Sequence, residues 1–235
     1  MSKCKKLIVS PLMSDECRGK LIALGFEIVT SAPLCGVQQG LRYHPDMQLA
    51  CAGDGVWICA PEVFDYYRPH FDELNLRLIC GNSTPRHDYP HDVAYNVASF
   101  GGYAVHNFRH TDGVYLENSH LEMINVAQGY SKCSLCIVSG DATITADKGM
   151  YDALSEHGVD VLSVRPGGVS LPGYDYGFIG GASGLIDDGL LAFCGNLDLH
   201  PDGETIKKFC AVHGVKTLSL GSEPLLDVGT IIRPA

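Results

Sequence analysis

The chain has 235 residues, with 17 Lys plus Arg against 27 Asp plus Glu and a formal net charge of −10. A hydrophobic fraction of 46% against 19% charged residues excludes a disordered chain or a coiled coil, and 27 Gly with 12 Pro point to many turns rather than long helices. The acidity argues against a nucleic-acid or anionic-membrane partner, no apolar run reaches the roughly 18 residues of a spanning helix, and the opening Met1-Ser-Lys-Cys-Lys-Lys6 precedes an apolar stretch too short for a secretory leader. The expectation is a soluble cytoplasmic protein of one domain, residues 1–235.

The first segment predicts a strand at 6–10 and a helix capped by Ser14, with Cys17, Leu21 and Leu24 on one face and Gly25 at its end. A closing strand follows at 26–30. Four hairpins come next, at 47–60, 94–106, 133–145 and 178–193. They turn on Asp54-Gly55, Gly101-Gly102, Ser139-Gly140 and Asp188-Gly189, the residue chemistry of tight turns. A helical stretch follows each hairpin. Residues 61–74 carry Phe64, Tyr67 and Phe71 on one face, with Pro69 expected to kink or shorten the helix; 112–120 is a weaker pattern. Residues 148–157 bury Met150, Ala153 and Leu154, and 202–212, with Asp202 as N-cap, bury Ile206, Phe209 and Cys210. Closing strands read at 76–80, 122–126, 159–164 and 215–220. The final segment 227–232 reads as a strand without a partner.

If that last strand pairs with the first, the chain becomes five strand-strand-helix-strand units of about 47 residues, closed into a five-bladed α/β ring. A doubly wound nucleotide fold is excluded because strands do not alternate singly with helices. The glycine-rich Gly177-Phe-Ile-Gly-Gly-Ala-Ser-Gly184 precedes a strand rather than a helix, so it is not a phosphate loop. Of ten cysteines, Cys59, Cys80 and Cys194 lie in apolar segments and read as core packing. Cys133-x-x-Cys136 lies in 132–138, read as a strand, where residues three apart face opposite ways; neither a redox pair nor a zinc knuckle follows. The pairs His87 and His91, and His106 and His110, read as surface-loop histidines, so no metal and no cofactor are expected.

The motifs Gln128-Gly-Tyr-Ser-Lys-Cys133, Ala146-Asp-Lys-Gly149 and Tyr176-Gly-Phe-Ile-Gly-Gly-Ala-Ser-Gly184, set in five such units, make the chain resemble the pentein superfamily of guanidino-group-modifying enzymes, and within it a group of uncharacterised bacterial proteins. The resemblance implies a central channel in which carboxylates hold a guanidinium while a His and a Cys nucleophile work on a C–N bond. Asp46, in His44-Pro-Asp-Met47, resembles the acidic motif that grips the guanidinium. Where the family places its His, this chain has Tyr176 to Phe178, and where the family places its nucleophile it has Leu226-Asp-Val-Gly-Thr230. The candidate catalytic residues are therefore His44 and Cys133, the latter by analogy between units. The candidate ligand-binding residues are Asp46, Asp147, Lys148 and Asp227.

Each has a plainer reading: Asp46 as a turn cap, Asp147 and Lys148 as a helix start, Cys133 as a packed thiol, Asp227 as the start of a strand. Two functions follow: a hydrolase or transferase acting on a small cationic ligand, or a catalytically inactive binding or sensing module. The absent His and Cys favour the second. The outer helices offer surfaces for a homodimer, but no apolar stripe singles one out.

Overall fold

A computed structural model describes residues 5–234 of the chain; Cys4 lies outside them. The first unit is β1 (Lys6–Val9), α1 (Asp15–Ala23) and β2 (Glu27–Thr30). The second is β3 (Leu49–Gly53), β4 (Val56–Cys59), α2 (Phe64–Glu73) and β5 (Arg77–Cys80), and the third β6 (Ala98–Phe100), β7 (Tyr103–His106), α3 (Gly113–Asn118) and β8 (Glu122–Asn125). The fourth opens with a single helical turn, α4 (Ser131–Ser134), before β9 (Leu135–Ile137), β10 (Ala142–Thr145), α5 (Lys148–Glu156) and β11 (Asp160–Ser163). The fifth is β12 (Ser183–Asp187), β13 (Leu190–Phe193), α6 (Gly203–Val212) and β14 (Lys216–Ser219).

The result is an α/β fold of five small sheets, β1-β2 and four three-stranded sheets. In each of the four, the first two strands form an antiparallel hairpin and the helix crosses over to lay the third parallel to the second. Asp54 and Gly55 (φ 49° and 73°), like Gly101 and Gly102 (φ 55° and 89°), take the left-handed backbone that two-residue hairpins require. Helices bury one stripe against their sheets: Tyr67 and Phe71 in α2, Met150 and Leu154 in α5, Ile206 and Cys210 in α6. Among the described residues no helix is long and apolar enough to cross a membrane.

Hydrogen bonds run from one unit's leading segment to the next. Ser99 Oγ donates to the Cys51 carbonyl (2.6 Å), Lys132 N to Asn96 O (3.1 Å), Gly181 N to Cys133 O (2.8 Å) and Ile231 N to Ser183 O (2.9 Å). Asp46 N donates to Gly229 O (3.2 Å), and Ile8 and Ile232 exchange N–H···O bonds at 2.8 and 3.0 Å, an antiparallel bridge between the first strand and the last residues.

Several expectations are corrected. The segment 227–232 is not a regular strand, because Gly229 (φ 78°) and Thr230 (φ 69°) turn it, leaving the single bridge at Ile232. Residues 132–134 belong to α4 rather than a strand: the Asn96 side-chain oxygen accepts from both Lys132 N (2.8 Å) and Cys133 N (3.1 Å), which holds the turn. α2 continues through Pro69, its buried Tyr67 and Phe71 offsetting the lost backbone bond. Leu24 is 47% exposed at the end of α1, and Phe26, beyond the turn at Gly25, is buried instead. Cys80 is exposed because β5 is the edge strand of its sheet. The nine described cysteines are free, and Cys59 and Cys194 are buried as expected.

A Cβ at Gly101 would lie 1.6 Å from the Gly140 carbonyl oxygen, whereas one at Gly102 meets nothing within 4 Å. Gly101→Ala is therefore expected to lose on the order of 3 kcal/mol of stability, and Gly102→Ala about 1–2 kcal/mol from backbone strain alone. Urea midpoints of the two variants check this; equal losses would remove the close approach as the cause.

Candidate functional site

The sequence candidates His44, Asp46, Cys133 and Asp227 come from three separate segments and are all buried. Pro45–Met47 is a 3₁₀ turn, and it brings His44 and Asp46 to the same place. Asp46 Oδ2 accepts from the Thr230 hydroxyl at 2.7 Å and from the Cys133 thiol at 3.1 Å, while its Oδ1 has no partner. Asn96 Nδ2 donates to Cys133 Sγ at 3.0 Å. Asp227 accepts from Phe178 N (2.9 Å) on one oxygen and Gly229 N (3.0 Å) on the other. The His44 ring nitrogen Nδ1 lies 3.8 Å from Asp227 Oδ1, too far for a hydrogen bond, and has no other partner.

The glycine-rich segment serves this arrangement. A Cβ on Gly181 would lie 2.0 Å from Asp227 Oδ1, and one on Gly180 would lie 2.5 Å from the carbonyl oxygens of Lys132, Cys133 and Leu135. Only glycine lets the two segments approach closely enough to seat Asp227 beside α4. Thr230, β-branched yet at φ 69°, is held in a strained conformation that turns its hydroxyl onto Asp46.

Electrostatically the cluster is acidic and has no cation in contact with it, Lys132 acting on Asp46 only through space. Burial raises the Asp46 carboxyl, with Asp227 adding to the rise against His44, Thr230 and Cys133. Burial pushes Asp227 up to about 6 against the two N–H groups it accepts from. Burial, then Asp46 and Asp227, lift the Cys133 thiol well above its ordinary value, so it is protonated at neutral pH, and burial lowers His44. Among the described residues no Lys or Arg lies within ion-pair distance of either carboxylate. A nitrogen of His44, an oxygen of Asp46 and Cys133 Sγ lie within 4.8 Å of one another, a donor set suited to a zinc-like ion. Sequence spacing does not disclose it because Cys133 lies 87 residues from Asp46.

Cys133 and Asp227 line a cavity of about 280 Å³ whose walls include Tyr130, Tyr174, Tyr176 and Phe178, with Asp175 beside them. Tyr174 and Asp227 also line an adjoining cavity of about 720 Å³. Tyr130 is tied to the buried Asp92 at 2.5 Å and Tyr174 to Gln38 at 2.5 Å, which sets both rings.

Asp147 and Lys148 are not part of this cluster. Asp147 caps α5, accepting from Met150 N at 2.9 Å, and takes a bond from Gln128 Nε2 (3.1 Å) beside a cavity that includes His200 and shares Tyr176 and Phe178 with the aromatic one. Lys148 is exposed and paired with Asp152 at 2.6 Å. Asp202 stands at the N-cap of α6 but makes no capping bond, because both its oxygens are taken by Arg165. His106 is not a surface histidine: it is buried between the Thr111 hydroxyl (2.6 Å) and the Gly129 carbonyl (2.7 Å), and burial lowers it to about 4.

Asn96, Thr230, Tyr130 and Tyr174 were missed by sequence reasoning. A signal for two of them existed. Asp46, Asn96, Cys133, Gly181 and Thr230 each stand two or three residues before the leading strand or bridge of a unit, so alignment of the units selects Asn96 and Thr230 with Asp46.

A model of a family of unknown function, DUF6873, matches residues 8–232. No curated protein sequence matches the chain. Among solved structures it is similar to SxtG, an amidinotransferase from Microseira wollei in the saxitoxin biosynthetic pathway (11% identity, 99% of this chain and 95% of that one, TM-score 0.53). It is also similar to inosamine-phosphate amidinotransferase StrB1 from Streptomyces griseus (12%, 92% and 78%, 0.53). A third is a dimethylarginine dimethylaminohydrolase variant in its adduct with S-methyl-L-thiocitrulline (9%, 93% and 92%, 0.51). At these identities the likeness is one of fold, and it is the pentein fold that the sequence motifs resemble.

The raised Asp227 carboxyl predicts a pH dependence. The folded state holds this proton more tightly than the unfolded chain, so the contribution to stability is present below the ordinary value of 3.8 and is lost as pH rises through about 6. Its full size is on the order of 3 kcal/mol. Urea midpoints between pH 4 and 7 are expected to fall for the native chain and to fall less for Asp227→Asn.

Proposed function

We propose that this chain, which belongs to the DUF6873 family of unknown function, closes its five units around a central channel and binds there a small guanidino- or amidino-type cation, on which Cys133 acts at a C–N bond. The observation that carries the reading is that Cys133 and the buried carboxylate Asp227 line one aromatic-walled cavity, with Asp46 buried behind Cys133 and hydrogen-bonded to its thiol, and that no Lys or Arg of the described residues pairs with either carboxylate. Two carboxylates suit the N–H groups of a planar cation, and the rings of Tyr130, Tyr174, Tyr176 and Phe178 favour positive charge. The ring of inter-unit hydrogen bonds and the Ile8–Ile232 bridge support closure, and the amidinotransferase and hydrolase folds it resembles support C–N chemistry.

The cation would also switch on the nucleophile. The carboxylates that hold the Cys133 thiol protonated are the groups a bound guanidinium neutralises, so ligand binding lowers the thiol pKa where attack is needed. His44 takes the Cys133 proton as the sulfur forms an S–C bond to the amidino carbon, and passes that proton to the leaving amine as the C–N bond breaks. Water or an acceptor amine then attacks the same carbon, giving up its proton to His44, which returns it to the sulfur as the S–C bond breaks, giving a hydrolase or a transferase respectively.

A cationic haloacetamidine is expected to alkylate Cys133 at least tenfold faster than the neutral haloacetamide at pH 7, with the advantage lost in Asp46→Asn and all modification at this site lost in Cys133→Ser. Mass spectrometry of the modified peptide reads the outcome, and equal rates for the two reagents would overturn the cation reading. If guanidino compounds raise the melting midpoint while Cys133 stays unreactive, the chain is a binding module instead.

A second reading, favoured by the mutual approach of His44, Asp46 and Cys133 and by the unpartnered Nδ1 and Oδ1 among them, is a zinc-type ion in this cluster. Cobalt(II) titration decides between them. A thiolate-to-cobalt absorption band lost in Cys133→Ser is expected only for the metal site.

A further inference from the structure

Lys132 and Cys133 are consecutive residues of α4, yet they line different cavities. Cys133 faces the aromatic cavity, whereas Lys132 lines a second one of about 220 Å³ with walls that include Leu49, Val97, Leu185 and Ile231. The Lys132 ammonium makes no hydrogen bond or ion pair among the described residues; its nearest charged influence, Asp46, does not touch it. Trp57 lines the same cavity, is 7% exposed, and carries a buried indole N–H with no acceptor. Arg233 stands beside them but is already paired with Asp187 (3.3 Å) and Asp188 (2.8 Å).

An apolar cavity walled by an ammonium without a hydrogen-bond partner and by a tryptophan whose N–H lacks an acceptor suits an acceptor-bearing occupant, since polar donors in such surroundings are otherwise paired. We infer that this second cavity binds a small organic anion, a carboxylate on a compact apolar group, with Lys132 as its counter-ion. A carboxylate supplies one negative charge and two acceptor oxygens, and its apolar part covers the aliphatic walls. A phosphate dianion fits less well, because a single free cation does not offset its desolvation.

Trp57 is the only tryptophan of the chain, so its fluorescence reports on this cavity and not on the aromatic one. Titration of the full chain with cyclohexanecarboxylate is expected to give a saturable change in Trp57 emission that cyclohexanecarboxamide and inorganic phosphate do not give. Lys132→Met is expected to weaken the response at least tenfold, and Lys132→Arg to retain it. A response to the amide equal to that of the acid, or one undiminished in Lys132→Met, overturns the proposal. If Lys132→Met does not fold, absence of any acid response in the native chain overturns it just as well. The guanidino reading is scored separately by Cys133 alkylation, so the two fail independently.

Discussion

A carboxylate buried without a counter-ion organises this molecule. Asp46 is inaccessible to solvent, with one oxygen held by Thr230 and Cys133 and the other bare, at the point where the leading segments of several units meet. Burying such a group is costly unless hydrogen bonds or an opposite charge compensate it. The surroundings are shaped to supply the hydrogen bonds: Thr230 accepts a left-handed backbone to aim its hydroxyl, and Asn96 fixes α4 so that the Cys133 thiol reaches Asp46. They do not supply a cation in contact with it, Lys132 acting only through space. An acidic cluster that is only half compensated by its own protein is the physical basis for proposing a cationic occupant.

α4 acts as a partition. One turn long, it places a thiol toward an aromatic, acid-walled cavity and an ammonium toward an aliphatic one. Adjacent residues of a helix point about 100° apart, which is enough to send Lys132 and Cys133 to different compartments. Had residues 132–138 formed the strand their apolar pattern suggests, the pleat would have sent Lys132 and Cys133 to opposite faces of the sheet instead. The turn exists because a distant side chain, Asn96, takes its first N–H groups.

The elements themselves were largely legible. Glycine pairs at hairpin tips, apolar spacing in the helices and the order of strands and helices all describe interactions between near neighbours, and the observed units follow them. Two misreadings were decided by a remote partner: Asp202 caps nothing because Arg165 reaches it first, and the last segment bends because Gly229 must pass His44. For the site, His44, Asp46, Cys133 and Asp227 were legible as residues of the right chemistry near strand ends. Asp147 and Lys148 had the same local look but sit beside another cavity or in solvent.

By itself, the sequence determined five α/β units, their turns and the acidic and thiol groups available for chemistry, because periodicity and turn stereochemistry act over a few residues. Only the tertiary structure decided which of those groups meet, which stay protonated and which cavity each one faces. Those properties arise from burial and from contacts between residues such as Asp46, Cys133 and Thr230, whose separation along the chain carries no trace of their hydrogen bonds in space.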